Sequence, residues 1–413
     1  MLRVLEIVNR VNSVEGQNLK ELPRVLFFTS EIPQSVNAGS MQLYRVLQGY
    51  PGEKLMVMGW PSEQDAKLLP CRYETVKLLT YRLACTRLRY WMSGLNALNT
   101  AWEPQLGRSE RMAREFRPDV VVTVMDKLSY YKHAWALARR LKVPLMTITM
   151  DDPETFETAA PALRWAFRRV LKMIYFYASV SIGVSREMCD YLKEEFGKKS
   201  EVLYFGAPEG IRPRSPEASR QLKKPGELSI AYAGTFGLGY RDGLAAMIPA
   251  LEAANARVLL YTRDQHWLIS HPRIVNRGFH PIEKLWPLIQ EEADVLVLPY
   301  AFEGLRTTVY RTHFPTKLSE YCWAGMPILA VGPEYATGYR WAQRHPEAAV
   351  TVDTYDPEKL GPLLKKLATD GVLRTKLAQG AAKVAKEEFE PTKIHRRFIC
   401  LLAQMPNHKE ELS

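Results

Sequence analysis

His313-Phe-Pro-Thr-Lys-Leu-Ser-Glu-Tyr-Cys-Trp-Ala-Gly-Met-Pro-Ile-Leu-Ala-Val-Gly332 reads as a loop, a short helix, a turn and a strand. Pro315 suits a first helical turn, where its missing N–H costs nothing. Thr316 can accept from the exposed N–H groups there. Gly325 fits the left-handed position past a helix end, and Pro327 stops continuation. Ile328 to Val331 is a short apolar run of the kind buried in a parallel sheet. Lys317 and Glu320 share one face of this helix. A helix N-terminus with a lysine in its first turn attracts phosphate. A carboxylate one turn deeper can accept from two adjacent hydroxyls, as on a ribose. The same spacing also makes a plain surface ion pair worth a few tenths of a kcal/mol.

Upstream, residues 294–299 form an apolar strand delivering a loop that carries Glu303, Arg306 and Arg311. Further back, residues 228–233 read as a strand running into Gly234-Thr-Phe-Gly-Leu-Gly-Tyr-Arg-Asp-Gly243 and a helix. This is neither the G-x-G-x-x-G fingerprint nor a P-loop. Gly234, Thr235 and Arg241 can still cradle a diphosphate, although a tight turn without ligand reads equally well. Arg263 follows the strand 258–261, and Gly278-Phe279 follows 274–276. Helices are expected over 282–291, over 357–388, and in a basic terminal segment around 394–402.

The first half shows the same strand–helix alternation. Residues 24–30 read as a buried strand, and Gly39-Ser40 opens a helix to residue 47. Gly39 reads either as a close-approach glycine for a ligand or as an ordinary turn glycine. Residues 118–124 and 144–150 read as strands, the latter followed by Asp151-Asp152. Ligands collect at the carboxyl ends of strands in such sheets, so the pair is a candidate catalytic or acceptor-hydroxyl group; one of them can instead simply cap the next segment. Residues 72–117 and 162–178 read as helical and basic, with Tyr90, Trp91, Trp165 and Tyr175 interleaved, a pattern that suits an anionic membrane surface or a solvated helix face. Ser185 caps a helix over 187–196. The Pro-, Gly- and charge-rich stretch 206–226 reads as a domain linker.

At 413 residues the chain is too long for one ordinary core, and two domains are expected. Five scattered cysteines show no metal-ligand spacing, which fits a reducing cytosol and a chain without a metal site. No apolar run reaches the ~18–20 residues that span a bilayer, and Arg3 and Glu6 interrupt the first apolar stretch, against a signal peptide. The net charge of +11 fits a phosphorylated substrate or anionic surface; no nucleic-acid motif accompanies it.

Two successive Rossmann-like halves, with phosphate-and-ribose chemistry in the second, resemble the GT-B glycosyltransferases, specifically glycosyltransferase family 4 (group 1). The carriers are Tyr232-Ala-Gly-Thr, Ala293-Asp-Val-Leu-Val-Leu-Pro299, and Pro315-Thr-Lys-Leu-Ser-Glu-Tyr with Ala324-Gly-Met-Pro. Asn37-Ala-Gly-Ser, Val143-Pro-Leu-Met and Ile182-Gly-Val-Ser carry it more weakly. The resemblance implies an α/β GT-B fold whose two Rossmann-like domains face across a cleft. It implies an acceptor-binding domain over 1–205, a nucleotide-sugar-binding domain over 206–388, and a terminal helix over 389–413 returning to the first. It makes Glu320 the ribose ligand and Lys317 and Arg241 diphosphate contacts, with Gly39, Gly234, Thr235, Arg263, Phe279 and Thr316 completing the donor site. Asp151 or Asp152 falls near the reacting sugar, with Met150 where the family often has His. Thr312 stands where the family usually has its first Glu, and Glu303-Gly304 reads as that half of the motif displaced by an insertion.

The activity implied is retaining transfer of a hexose from a nucleoside diphosphate sugar to a hydroxyl of a glycan or lipid-linked acceptor. It needs no cofactor, and it takes place in the cytoplasm or at the inner face of the plasma membrane. Another sugar-nucleotide enzyme of the fold, an epimerase or phosphorylase, and a silent nucleotide-sugar-binding protein are the alternatives.

Overall fold

The computed structural model describes residues 22–35, 38–60, 67–76, 78, 89–98, 106–156, 161–206, 211–302 and 307–405. The chain divides into two compact units, Met1–Phe205 with Pro391–Ser413, and Gly206–Glu390.

The first unit is built on seven parallel strands: β1 (Val25–Glu31), β2 (Leu55–Trp60), β3 (Arg72–Thr75), β4 (Val120–Val124), β5 (Leu145–Thr149), β6 (Val180–Gly183) and β7 (Glu201–Val202). Their order is β3-β2-β1-β4-β5-β6-β7. A parallel sheet is covered on both faces, so its strands are apolar runs rather than alternations; every residue of Val-Val-Val-Thr-Val in β4 is buried. The Leu128–Leu141 helix packs Tyr130, Tyr131 and Trp135 into the core with Leu171, Ile174 and Tyr175 of the Arg164–Tyr177 helix. Ser185 caps the Arg186–Phe196 helix, its Oγ accepting from Met188 N–H at 3.0 Å. The Pro391–Ala403 helix belongs here: Phe398 and Leu402 are buried, and His395 Nδ1 lies 2.8 Å from the carbonyl O of Val46.

The second unit repeats the plan with β8 (Leu228–Ala233), β9 (Ala256–Tyr261), β10 (Ile274–Asn276), β11 (Val295–Pro299), β12 (Ile328–Val331) and β13 (Ala349–Val352). The order is β10-β9-β8-β11-β12-β13. In each sheet the strand order reverses once, between β1 and β4 and between β8 and β11. Such reversals open a crevice at the carboxyl ends of the strands.

Two expectations need correction. Residues 72–75 are not helical: β3 pairs with β2 in register Met56↔Arg72 to Gly59↔Thr75. The charges of Arg72 and Glu74 mark an exposed sheet edge, a place where polar strands survive. Lys77, Arg82 and Arg87 lie outside the described residues. Nor is the stretch after 210 a free linker. Arg214 is buried and donates to Ala293 O at 2.9 Å. Asp294, raised by burial above the ordinary carboxylate range, accepts from Lys223 N–H at 2.8 Å and Ser229 N–H at 2.9 Å. Arg374 closes the knot. Its guanidinium donates to Ser219 O (2.8 Å), Leu367 O (2.5 Å), Ala368 O (2.9 Å) and Arg220 O (2.7 Å). The Pro/Gly-rich composition came with arginines and main-chain carbonyls that bond one another, and those bonds tie the segment to the second unit.

Arg374→Ala strands these buried carbonyls, each costing about 1 kcal/mol or more. A loss of about 3 kcal/mol in urea unfolding, with the m-value unchanged, is the expected result; a loss under ~1 kcal/mol would show that the strap is held elsewhere.

Candidate functional site

At the reversal of the second sheet, β8 ends at Ala233 and Gly234 turns the chain with φ +131°, a conformation open to glycine. Gly234 N–H donates to Tyr261 O at 2.9 Å. Tyr232 OH donates to the carbonyl of Thr235, and Phe236 N–H donates to Asp264 Oδ2 at 2.5 Å. Asp264 is itself set by its N–H on Thr262 Oγ1, 3.1 Å away. The glycine loop is thus pinned from three sides.

The Lys317–Trp323 helix starts over this loop. Tyr321 OH donates to Val297 O and accepts from Ala233 N–H, both at 3.3 Å. This anchors the helix on the two strands flanking the crevice. Lys317 Nζ lies 4.4 Å from the ring centre of Tyr240 and 5.2 Å from that of Tyr232, within cation–π range. A Cβ on Gly234 would sit 2.5 Å from Lys317 Cε, so the glycine also vacates the space that the lysine crosses. Desolvation pushes the ammonium down to about 8, against Glu320 and Asp264, which favour its charge. Glu320 is half-buried one turn along. Thr316 does not act as expected: it has helical backbone angles and makes no side-chain cap, because a capping side chain reaches the free N–H groups from an extended backbone. Its carbonyl instead accepts from Ser319 Oγ at 2.8 Å.

The other candidates of this unit line the neighbouring strand ends. Arg263 stacks on the exposed Phe279 ring with 4.0 Å between guanidinium carbon and ring centre. Arg241 donates through Nε to Trp267 O at 2.8 Å and lies 3.6 Å from Asp242, so it braces the Gln265–Trp267 turn. Thr235 is exposed and offers its hydroxyl beside the loop. Thr312 is buried; Glu303 and Arg306 lie outside the described residues.

In the first unit, Asp151 and Asp152 follow β5 with distinct environments. Asp152 is buried and accepts from Glu154 N–H at 3.0 Å and Tyr191 OH at 2.7 Å, which caps the Pro153–Phe156 turn of helix. Asp151 is half-exposed. Gly39 is the second residue of the Ala38–Leu47 helix and has no positive φ, so it is no turn glycine. A Cβ there would come 3.9 Å from Met150 Cε, leaving bare backbone beside the end of β5.

Three carboxylates went unread in the sequence. Asp264, three residues past β9, holds the glycine loop. Asp126, at the reversal of the first sheet, accepts from Ser30 Oγ. Glu154, its carboxyl raised first by burial, ion-pairs with Arg168 at 3.3 Å. Their only signal was a position just beyond a strand end. Among the described residues no group of His, Cys, Asp and Glu is placed to hold a metal ion.

No family model matches the chain. A curated relative, the lipopolysaccharide core biosynthesis glycosyltransferase LpsD of Rhizobium meliloti strain 1021, is 23% identical over 312 residues, 71% of this chain and 78% of that protein. Sucrose-phosphate synthase from Thermosynechococcus elongatus superposes with a TM-score of 0.63 at 14% identity, covering 93% of this chain and 99% of that one. Anabaena HepE in complex with UDP superposes at 0.61 and 15% identity, covering 92% and 99%. The likeness establishes the fold: two Rossmann-like units of the GT-B type.

Gly234→Ala is expected to cost about 2 kcal/mol of stability, from strained backbone and the clash with Lys317. Part of the loss returns in the Lys317→Ala background. Strictly additive losses in the double-mutant cycle would mean that Lys317 does not fill that space.

Proposed function

We propose that the chain is a glycosyltransferase of the family 4 type. It moves a hexose, with retention, from a nucleoside diphosphate sugar to a hydroxyl of a glycan or lipid-linked acceptor. The observation that carries this reading is the crossing of Lys317 over Gly234 at the reversal of the second sheet, with Glu320 one turn further. A cation against bare backbone suits a diphosphate, and a carboxylate one turn away suits the two ribose hydroxyls. The exposed Arg263–Phe279 stack offers a flat surface to a nucleobase. LpsD is named for lipopolysaccharide core synthesis, and HepE has been solved with UDP, with UDP-glucose, and with UDP and glucose. These names favour a UDP-sugar donor and a saccharide acceptor for this chain.

In the reaction, the bond between the sugar's anomeric carbon and the diphosphate oxygen breaks, and a bond to the acceptor oxygen forms on the same face. Lys317 stabilises the negative charge that grows on the leaving diphosphate, the role a fixed cation plays best in a site shielded from water. The acceptor proton passes to that same diphosphate, so neither a separate base nor a metal is required. Asp151, half-exposed after β5, orients the acceptor, and Asp152 holds the turn beneath it. The four described cysteines are free thiols, in keeping with work on the cytoplasmic side, where a lipid-linked acceptor would bring the chain to the membrane surface.

Glu320→Ala is expected to weaken UDP binding about 10- to 100-fold by calorimetry, the loss of roughly 1.5–3 kcal/mol of charged hydrogen bonding. UDP release by the parent protein continues undiminished in EDTA. An unchanged dissociation constant for the variant would reduce Glu320 to a helix-surface residue. The pH dependence has a definite sign. The ammonium of Lys317 is protonated below about 8 and neutral above it, so UDP affinity falls as pH rises through that region. Lys317→Ala removes the trend, and a flat profile in the parent protein would remove Lys317 from the diphosphate site.

A further inference from the structure

We infer that Glu388 is a positioning residue for the donor site: with Trp341 and His345 it sets Phe389, and Phe389 holds both ends of the Lys317–Trp323 helix. The inference rests on the donor reading of Lys317 and Glu320. Every residue in it belongs to the second unit. The helix has seven residues and no side-chain cap at its start, so contacts from outside decide its place. Tyr321 ties its middle to the sheet, which leaves rotation about that tie to be limited at the ends. Both ends meet Phe389. Trp323 Nε1, at the last helical position, donates to Phe389 O at 3.1 Å. Phe314, just ahead of the first turn, sets its ring 6.1 Å from that of Phe389.

Phe389 is buried and closes the Gly371–Glu388 helix, its N–H donating to Ala385 O at 3.0 Å. The Lys317–Trp323 helix packs on that longer helix. The Phe389 ring lies 5.9 Å from the ring of the buried Trp341. Glu388 fixes that indole, its Oε2 accepting from Trp341 Nε1 at 3.0 Å. His345 completes the group. Its ring lies 4.6 Å from that of Trp341, with Nε2 3.4 Å from Glu388 Oε1 and Nδ1 3.3 Å from Glu347 Oε1. Burial disfavours the imidazolium, but the two carboxylates outweigh it and hold the ring above its ordinary value. A carboxylate in the last turn of a helix opposes the helix dipole, so Glu388 serves its indole and imidazole partners rather than its own helix. From His345 to Phe314 and Trp323 the contacts are continuous, and they end on the helix that carries Lys317 and Glu320.

The test is UDP binding to the full chain by calorimetry at neutral pH. Glu388→Ala is expected to weaken binding about tenfold, and Trp323→Phe, which cuts the far link and keeps a ring, about threefold or more. The direction separates positioning from charge. UDP is an anion, so loss of a carboxylate would by charge alone tighten its binding. Glu388→Gln keeps an acceptor for Trp341 and should restore the affinity to within about threefold of the parent. In the Glu320→Ala background, Glu388→Ala should cost about threefold at most, since both act through one helix. Unchanged affinity in both Glu388→Ala and Trp323→Phe overturns the inference. Tighter binding by Glu388→Ala overturns it too, as does the full loss repeated in the Glu320→Ala background. Circular dichroism matching the parent separates lost positioning from lost folding; should Glu388→Ala not fold, Trp323→Phe decides alone. If UDP affinity ignores both Lys317→Ala and Glu320→Ala, the donor reading falls and this inference with it. If those two weaken binding while Glu388→Ala and Trp323→Phe do not, this inference falls alone.

Discussion

The bond pair on the Tyr321 hydroxyl is the hinge of the candidate site. β8 and β11 are paired at Val295↔Ile230 and Leu296↔Ala231; beyond that point Tyr321 OH spans the gap, taking Ala233 N–H and giving to Val297 O. A diverging strand pair leaves main-chain groups without ladder partners, and a buried group without a partner is expensive. One phenol satisfies two of them. In doing so it fixes the helix that carries Lys317 and Glu320 relative to the glycine loop. Burial raises the phenol well above its usual range, so it remains a donor at any pH the protein meets.

Around that anchor the electrostatics are balanced rather than simply positive. Lys317 is a cation of the crevice, yet it gives up water to lie against Tyr232 and Tyr240, and Glu320 and Asp264 offset the cost. Asp264 also holds Phe236 N–H, so one carboxylate serves both the shape of the loop and the charge above it. The lysine is thus pre-set, and little of its ordering remains to be done.

The two-sheet plan was legible because parallel strands leave a plain mark: short apolar runs separated by helix-length amphipathic stretches. The lysine and glutamate of the 317–323 helix were legible because their spacing is local. What escaped was decided by distant partners. Arg72–Thr75 is a strand only because β2 offers it an edge. The 211–226 stretch has linker composition, and its attachment depends on Arg374, more than 150 positions away. Asp264 is one acid among many until Phe236 N–H is seen on it. Thr316 had the residue type of a cap without the backbone angle that a cap needs.

The placing of the Pro391–Ala403 helix has a consequence for biosynthesis. Phe398 and Leu402 are buried in the first unit, and His395 meets Val46, 349 residues earlier in the chain. Chains emerge from the ribosome N-terminus first, so the first sheet is assembled and waits with an open apolar bed while the whole second unit is translated. Arg374 delays the second unit in the same way, since the carbonyls of Ser219 and Arg220 lack their donor until it appears. Each half is therefore completed only after the other's strands have been made, and a nascent chain halted before residue 374 exposes unfinished surface on each.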